Sequence, residues 1–426
     1  MSKALRGFYM KSLMVLGFFS LIPSLGFADS MTWQKSIEET LQNNGEIQAA
    51  IRGVNASRYN LNGSYSGFLP TVSGTLNYTR GNSPNVSGQN VSNEGYNATL
   101  NASENLFNGF QDKAKVDQAK ANLRSSEESL EITKAKVSVD LKTAYATFIY
   151  AQKLVALQQD ILKRRQENYG LVNLRFKSGR ENRGSVLLSK ANANQAKLDL
   201  LKAQNSILAA GTDLARVIGR DEIPTQVTDE IPLEPLPAGR PDFRRLAGEA
   251  PEVQQSQAQL DASMALLTQS RSNFFPTLGI SASKGRSGDD WFPQRDKWSV
   301  GASITFPLFN GGKDYSASRA ASQNVQSSAS TLNNVTKQKI NKLASTFNAY
   351  QEAIEKVMVD ESFREAAKLR AEIARAKYNN GLMSFEDWDV IENDLITREK
   401  TVLQSQLTKV QAESEWLQAQ GRGVLP

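Results

Sequence analysis

The side chains of this chain that could do chemistry are carboxylates, amines and hydroxyls, because its 426 residues include neither histidine nor cysteine. That composition excludes disulfides, thiolate and imidazole metal sites, Ser-His-Asp or Cys-His catalysis, and lipid attachment through a cysteine. Acid-only chemistry remains, yet no paired acids stand outside runs that read as helix surface, and neither a cofactor nor a metal is expected. Charge gathers instead at two glycines. Arg175, Lys177, Arg180 and Arg183 surround Gly179, while Ser384, Glu386 and Asp387 follow Gly381. Ser384 with Asp387 has the spacing of a capping box, and both acids are favourable at a helix N-terminus. The basic cluster reads as a solvated face or as a surface for acids, including Glu386 and Asp387 themselves. Each glycine reads as a turn that needs positive φ.

The elements holding these turns occur twice. Leu106-Phe107-Asn108-Gly109 returns as Leu308-Phe309-Asn310-Gly311, Phe68-Leu69-Pro70-Thr71 as Phe274-Phe275-Pro276-Thr277, and Phe176-Lys177-Ser178-Gly179 as Tyr378-Asn379-Asn380-Gly381. The unit is about 200 residues, a duplicated domain and not a solenoid repeat. Each copy opens with a heptad helix, seamed by Ile47, Val54, Leu61 and Phe68 or by Val253, Leu260, Leu267 and Phe274, and stopped by Pro70 or Pro276. Alternating runs then predict strands over about 71–80 and 96–107, and over about 277–284 and 297–308. Proline-free stretches predict long helices over about 111–174 and 313–378, the first seamed by Leu141, Phe148, Val155, Leu162, Tyr169 and Phe176 and about 95 Å long. After tips at 175–185 and 379–387, return helices are seamed by Val186, Ala193, Leu200, Ile207 and Leu214, and by Trp388, Leu395, Val402, Lys409 and Trp416. A return helix and a pre-strand helix, end to end, match one long helix in length. Residues 29–219 thus form a first repeat and 251–426 a second. Between them, 220–250 is a linker in which Pro224, Pro232, Pro235, Pro237 and Pro241 oppose regular structure.

Lys3, Arg6 and Lys11, then an apolar Leu13 to Leu25, then Gly26-Phe27-Ala28, predict a signal peptide over residues 1–28, cleaved after Ala28. Its loss halves the net charge of +6, and without a basic stripe nucleic-acid binding is not expected. In an exported chain, the alternating runs have the length of tilted transmembrane β-strands with aromatics near their ends. Four strands cannot close a barrel, and an open edge cannot sit in lipid, so an oligomer is expected.

On the duplication, the Phe-x-Pro-Thr corners, the two Leu-Phe-Asn-Gly junctions and the glycine tips, nearly the whole mature chain resembles the outer-membrane efflux proteins of the TolC family. The resemblance implies a mainly α fold with a membrane β-barrel: four strands per protomer in a trimeric twelve-strand barrel, continuing into a long α-helical periplasmic tunnel. It implies a passive exit duct for a tripartite efflux pump or type I secretion system, located in the outer membrane. The implied partners are two further copies of the chain, outer-membrane lipid, a periplasmic adaptor (membrane fusion protein) and an inner-membrane transporter. It also implies a tunnel gate at the second tip, with Tyr378, Glu386 and Asp387 as candidates, and adaptor contact at Gly179 and Gly381, to which Arg180 and Arg183 could add charge. Two of the family's gate positions depart, with Val390 for an aspartate and Met383 for an arginine, and Ser185 stands in the first half opposite Asp387. A non-conducting periplasmic coiled-coil scaffold or adaptor is the competing function, for which the helices alone would suffice. An enzyme has no residues to support it.

Overall fold

The computed structural model describes residues 30–84, 87–88, 90–228, 230–237 and 239–426. The predicted signal peptide lies outside the described residues. In chain order the elements are β1 (Ser30–Met31), α1 (Trp33–Asn43), α2 (Gly45–Ser64), β2 (Thr71–Pro84), β3 (Asn90–Asn108), α3 (Gln111–Lys177), α4 (Arg183–Ile218), β4 (Gln226–Val227), α5 (Phe243–Glu249), α6 (Pro251–Ser272), β5 (Thr277–Gly288), β6 (Arg295–Thr305), α7 (Lys313–Asn379) and α8 (Phe385–Ala419). The order α2-β2-β3-α3-α4 recurs as α6-β5-β6-α7-α8.

Helices α3 and α7 have 67 residues each, about 100 Å at 1.5 Å per residue. Along α3 lie α4 and α2, and along α7 lie α8 and α6, while α3 also packs on α6 and α8 and so joins the halves. The shorter helices meet end to end. At one junction Asn44 caps α2, accepting from the amides of Glu46 and Ile47, and donates across to the Val217 carbonyl at 2.8 Å. Gly219 closes α4 there at φ +82°, so near Asn43 that an added Cβ would overlap the Asn43 carbonyl. At the other, Gly421 at φ +73° leaves room for Pro251, the first residue of α6. Both glycines serve a left-handed turn and a close approach together.

Strands β2-β3-β5-β6 form one antiparallel sheet in that order, with β2 and β6 at its edges. They run past the predicted loop ends, to Pro84, Asn90 and Gly288, because a backbone ladder continues through polar side chains where the apolar alternation has stopped. Strand β6 stops at Thr305, short of the predicted 308. Pro307 has no N–H for a ladder and holds Phe306 out of register with it. The first Leu-Phe-Asn-Gly copy stays in β3 through Asn108, with a bulge between Asn105 and Phe107. It then turns through Gly109 (φ +66°) and Phe110 (φ +68°), where the second copy has Gly311 and Gly312. Phe110 bears that backbone while packed edge-on against Phe107 and Phe275, at 5.3 and 5.9 Å.

The heptad expectations hold in part. Ile47, Val54 and Val253 are buried, but Phe68 and Phe274 are exposed at corners beyond their helices, since α2 ends at Ser64 and α6 at Ser272. Along α3 the buried line keeps Leu141 and Phe148, then passes to Ile161, Arg165, Asn168 and Val172 and leaves Phe176 exposed. A straight helix at 3.6 residues per turn drifts from a 3.5-residue repeat, and α3 packs on several partners in succession. On α4 the buried line is Ser189, Ala196, Ala203, Ala210 and Val217, whose small side chains allow close packing on α3. On α8, Trp388, Leu395, Val402 and Trp416 are buried as expected.

The linker is more ordered than its prolines suggested. Gln226–Val227 pairs in parallel with Ser30–Met31, and after Pro241 the Asp242 carboxylate caps α5, accepting from the Arg244 and Arg245 amides. The linker is moored at mid-length. Lys142 and Glu413 pair at 2.6 Å in full burial, Glu413 accepts the Glu234 amide at 3.0 Å, and the Tyr350 hydroxyl donates to the Glu234 carbonyl at 2.6 Å. Burial, then the Glu413 and Glu234 charges, push the Tyr350 phenol up to about 12, so it remains a donor at physiological pH.

The helix junctions yield a stability test. Replacing Gly219 or Gly421 with Ala is expected to cost roughly 1–3 kcal/mol through positive φ and overlap. Gly45→Ala, with open space around it, should change stability by less than about 0.5 kcal/mol. Denaturant titration followed by helical circular dichroism measures all three.

Candidate functional site at the helical tips

Both tips use one backbone device. The Gly179 amide bonds the Phe176 carbonyl and the Arg180 amide the Arg175 carbonyl, both at 2.9 Å; in the second tip, Gly381 bonds Tyr378 at 3.0 Å and Leu382 bonds Lys377 at 2.9 Å. With Gly179 at φ +74° and Gly381 at φ +75°, each is a left-handed helix stop that satisfies terminal carbonyls. The returning helices start on side-chain caps, Asn182 to the Ser185 amide at 2.9 Å and Ser384 to the Asp387 amide at 3.0 Å. The Ser384 hydroxyl also donates to the Asp387 carboxylate at 2.9 Å. Glu386 and Asp387 thus belong to the first turn of α8 and not to the loop, with both side chains exposed.

Tyr378 is placed differently, at 1% exposure. Its ring stacks on Trp388 with centroids 4.4 Å apart, and Phe385 meets Trp388 edge-on at 6.3 Å. The first tip grips it from outside the stack. The Arg175 guanidinium lies 4.6 Å from the ring centroid and donates to the Tyr378 carbonyl at 2.7 Å, while the Tyr378 hydroxyl donates to Glu181 at 2.9 Å. Burial, then the hydrogen bond to Glu181, raise the Tyr378 phenol well above its ordinary range. The two hairpins are therefore joined by Arg175, Glu181 and Tyr378. Arg180 and Arg183 form no ion pair with Glu386 or Asp387 among the described residues, and both are exposed.

Above the tip lies a polar layer, buried at Arg165 and Glu392 and open to solvent at its edges, that the heptad seam does not show. Arg165 pairs with Asp389 at 2.9 Å and donates to Asn393 at 2.6 Å, while Asn192 on α4 donates to Asp389 at 3.0 Å. Arg164 pairs with Glu399, and Arg375 with Glu167 at 3.0 Å. Arg165 follows the seam residue Leu162 by three positions, so a charge at an inward heptad position was the available signal. Within this layer Glu392 is buried, with one carboxylate oxygen lacking a hydrogen-bond partner. Burial raises its pKa, and the charges of Arg164, Arg165 and Arg375 oppose the rise without cancelling it.

Such a chain, with a sheet at one end, paired hairpin tips at the other and about 100 Å of helix between, is a protomer of a tunnel-type membrane channel. The outer membrane efflux protein family matches residues 36–220 and 244–422, and the chain belongs to it. It is similar to the alkaline protease secretion protein AprF of Pseudomonas aeruginosa, at 25% identity over 90% of this chain and 81% of that protein. It also resembles the probable efflux pump outer membrane protein TtgC of Pseudomonas putida, at 24% identity over 66% of this chain and 60% of that one. Its fold matches a crystal structure of CusC with a TM-score of 0.84 at 19% identity, over 92% of both chains. Members are outer-membrane channels for efflux or secretion.

The raised Glu392 pKa carries a pH signature. A folded-state carboxyl that holds its proton more tightly than in the unfolded chain destabilises the fold above that raised pKa, and the penalty disappears as pH falls below the ordinary carboxylate range. Glu392→Gln should therefore stabilise the tip at neutral pH and have no effect in acid. Hydrogen exchange along the first half of α8, at both pH values, reads this directly.

Proposed function

We propose that three copies of this chain close into one continuous duct, a twelve-strand barrel in the outer membrane leading into a periplasmic helical tunnel. The observation that carries this reading is the sheet, with one apolar face and two unpaired edges at β2 and β6. Two copies would give eight strands and a filled interior, whereas three give twelve and room for a lumen. Exposed apolar side chains along the helices support neighbours there as well, with Leu187, Leu198, Leu201 and Leu208 on α4 and Met358, Phe363, Leu369 and Ile373 on α7. Residues 1–28 act as an export signal removed after Ala28, and repeats 29–219 and 251–426 are joined by the linker 220–250. A non-conducting scaffold would need helices alone and leaves the apolar sheet without a purpose.

The tips form the closable end. Around a threefold axis, Asp387 and Glu386 supply a ring of carboxylates that attracts cations, and the Arg175–Tyr378–Glu181 contact holds each hairpin pair together. Gly179, Gly381, Arg180 and Arg183 present a turn surface to a periplasmic adaptor, which joins the duct to an inner-membrane transporter. The relatives carry names from protein secretion and from efflux, so cargo is selected by the transporter and not by this chain.

Two measurements check the closure and the docking. In planar bilayers, Arg175→Ala with Tyr378→Phe should raise single-channel conductance several-fold over wild type, and Asp387→Asn should lower cation preference; unchanged conductance in the double variant would remove the tip contact from closure. In intact cells, Arg180→Glu with Arg183→Glu should weaken crosslinking of an adaptor to a photoreactive residue at Asn380, and undiminished crosslinking would leave those arginines as a solvated face. Recovery of the chain in the soluble periplasm would overturn the duct altogether.

A further inference from the structure

The apolar side of the sheet contains a basic–aromatic site at the end far from the helices. Cross-strand register sets Lys284 in one row between Leu100 and Trp298, and Arg286 in the next between Ala98 and Asp296. These side chains share the face of Ile280 and Val300, which faces lipid in a barrel. Depth follows from the strand rise. Leu278 pairs with Phe107 of the aromatic belt on the helix side, and Lys284 lies about 20 Å further along the strand, or about 15 Å along the membrane normal at a tilt near 40°. In an apolar band about 25 Å tall, that is the outer half, about 10 Å below the outer boundary, and a lysine stem lifts its ammonium towards that boundary. Arg286 begins one row higher.

Charge in this position requires an explanation. Arg286 is held by Asp296 at 2.9 Å, but Lys284 has no ion-pair partner among the described residues, and both side chains are exposed. Beside it, Trp298 is 77% exposed and presents a flat apolar surface. A cation in the outer half of the apolar band, two residues along the strand from a carboxylate-anchored guanidinium and flanked by Leu100 and Trp298, is complementary to an anion attached to acyl chains.

We propose that Lys284 and Arg286 bind a phosphate of an acylated, phosphorylated glycolipid in the outer leaflet, with Leu100 and Trp298 against its chains. The site rests on the outer-membrane reading above, and it makes the lipid a fixed part of the barrel's outer surface. Lys284 supplies a point charge, and the guanidinium shares its donors between Asp296 and a phosphate oxygen.

The test uses the full detergent-solubilised protein and native mass spectrometry, with diphosphoryl lipid A, its dephosphorylated form and phosphatidylethanolamine as ligands. Wild type should retain the diphosphoryl form roughly tenfold better than the other two. Lys284→Ala with Arg286→Ala should lose that preference, Lys284→Arg should keep it, and Asp296→Asn, which frees the guanidinium, should strengthen it. Equal retention by the double alanine variant, or equal retention of the dephosphorylated lipid, overturns the proposal; so does full displacement by millimolar inorganic phosphate, which would make the site one for a free anion. Insertion into vesicles and conductance are recorded for the same samples. Normal insertion without lipid preference defeats this site alone, whereas failure of wild type to insert defeats the outer-membrane reading beneath it.

Discussion

A sheet of four strands with unpaired backbone along β2 and β6 cannot reside in hydrocarbon, where each orphaned amide or carbonyl costs several kcal/mol. The rest of the molecule can be understood from that constraint. In the trimer proposed above the edges are satisfied by strands of neighbouring copies, the polar face of the sheet, with Ser73, Asn101, Ser281 and Ser299, lines an interior, and Val72, Leu100, Ile280 and Val300 face out. A strand pair leaves such a barrel at two places per protomer, and the chain continues from both into a helix of 67 residues. The junctions are unlike in detail. One stays in the ladder through Asn108 and turns on a positive-φ phenylalanine, while the other leaves the ladder before Pro307 and turns on two glycines. In the proposed trimer, a tunnel built from them has threefold symmetry and only approximates sixfold.

At mid-length the helices are tied together by charge and not by apolar contact alone. Lys142 on α3 and Glu413 on α8 come from opposite halves of the chain and are both fully buried. Burial of such a pair contributes little net stability against an apolar replacement, while loss of either partner is expensive. Its effect is therefore on register. Because Glu413 also accepts the Glu234 amide, and Glu234 accepts from Tyr350, one carboxylate sets the axial position of two helices and of the linker that crosses them. The two glycine junctions, Gly219 with Asn43 and Gly421 with Pro251, fix the same axial positions from the ends of the shorter helices.

Much of this was legible in the sequence, for a physical reason in each case. Alternation marked the strands because one side of the sheet meets lipid. Proline-free runs marked α3 and α7, and glycines marked the two tip turns and the ends of α4 and α8, whereas the positive φ of Phe110 left no sign in the sequence. The capped start of α8 could be read from Ser384 and Asp387. What escaped depended on groups distant in the chain. Neither Arg175 nor Glu181 has any local feature that points to Tyr378, since the contact exists only when two tips lie side by side. The shift of the α3 seam from Tyr169 and Phe176 to Asn168 and Val172 was hidden for a related reason, because a helix that serves several partners in succession follows no single heptad line. Arg165 did leave a trace, as a charge at an inward position, but its partners Asp389 and Asn393 lie far along the chain on α8. The helix after Pro241 was obscured by the prolines before it, although Asp242 is an ordinary N-cap.

The tips then differ in a way that assigns them separate mechanical parts. Phe176 and Tyr378 occupy corresponding places, yet Phe176 is 40% exposed and Tyr378 1%. Trp388, which stacks on Tyr378, corresponds to Val186. The aromatic stack therefore exists in one hairpin only. That hairpin's attachments to the first are polar through Arg175 and Glu181 at the end and through the Arg165–Asp389 layer above, and apolar where Val172, Leu171 and Val186 pack against the aromatic stack. Polar contacts between the hairpins can be exchanged for water at small net cost, whereas withdrawal of the second hairpin from Val172 would expose a packed apolar cluster. Separating the two hairpins therefore costs more at Val172 than at the polar contacts around it.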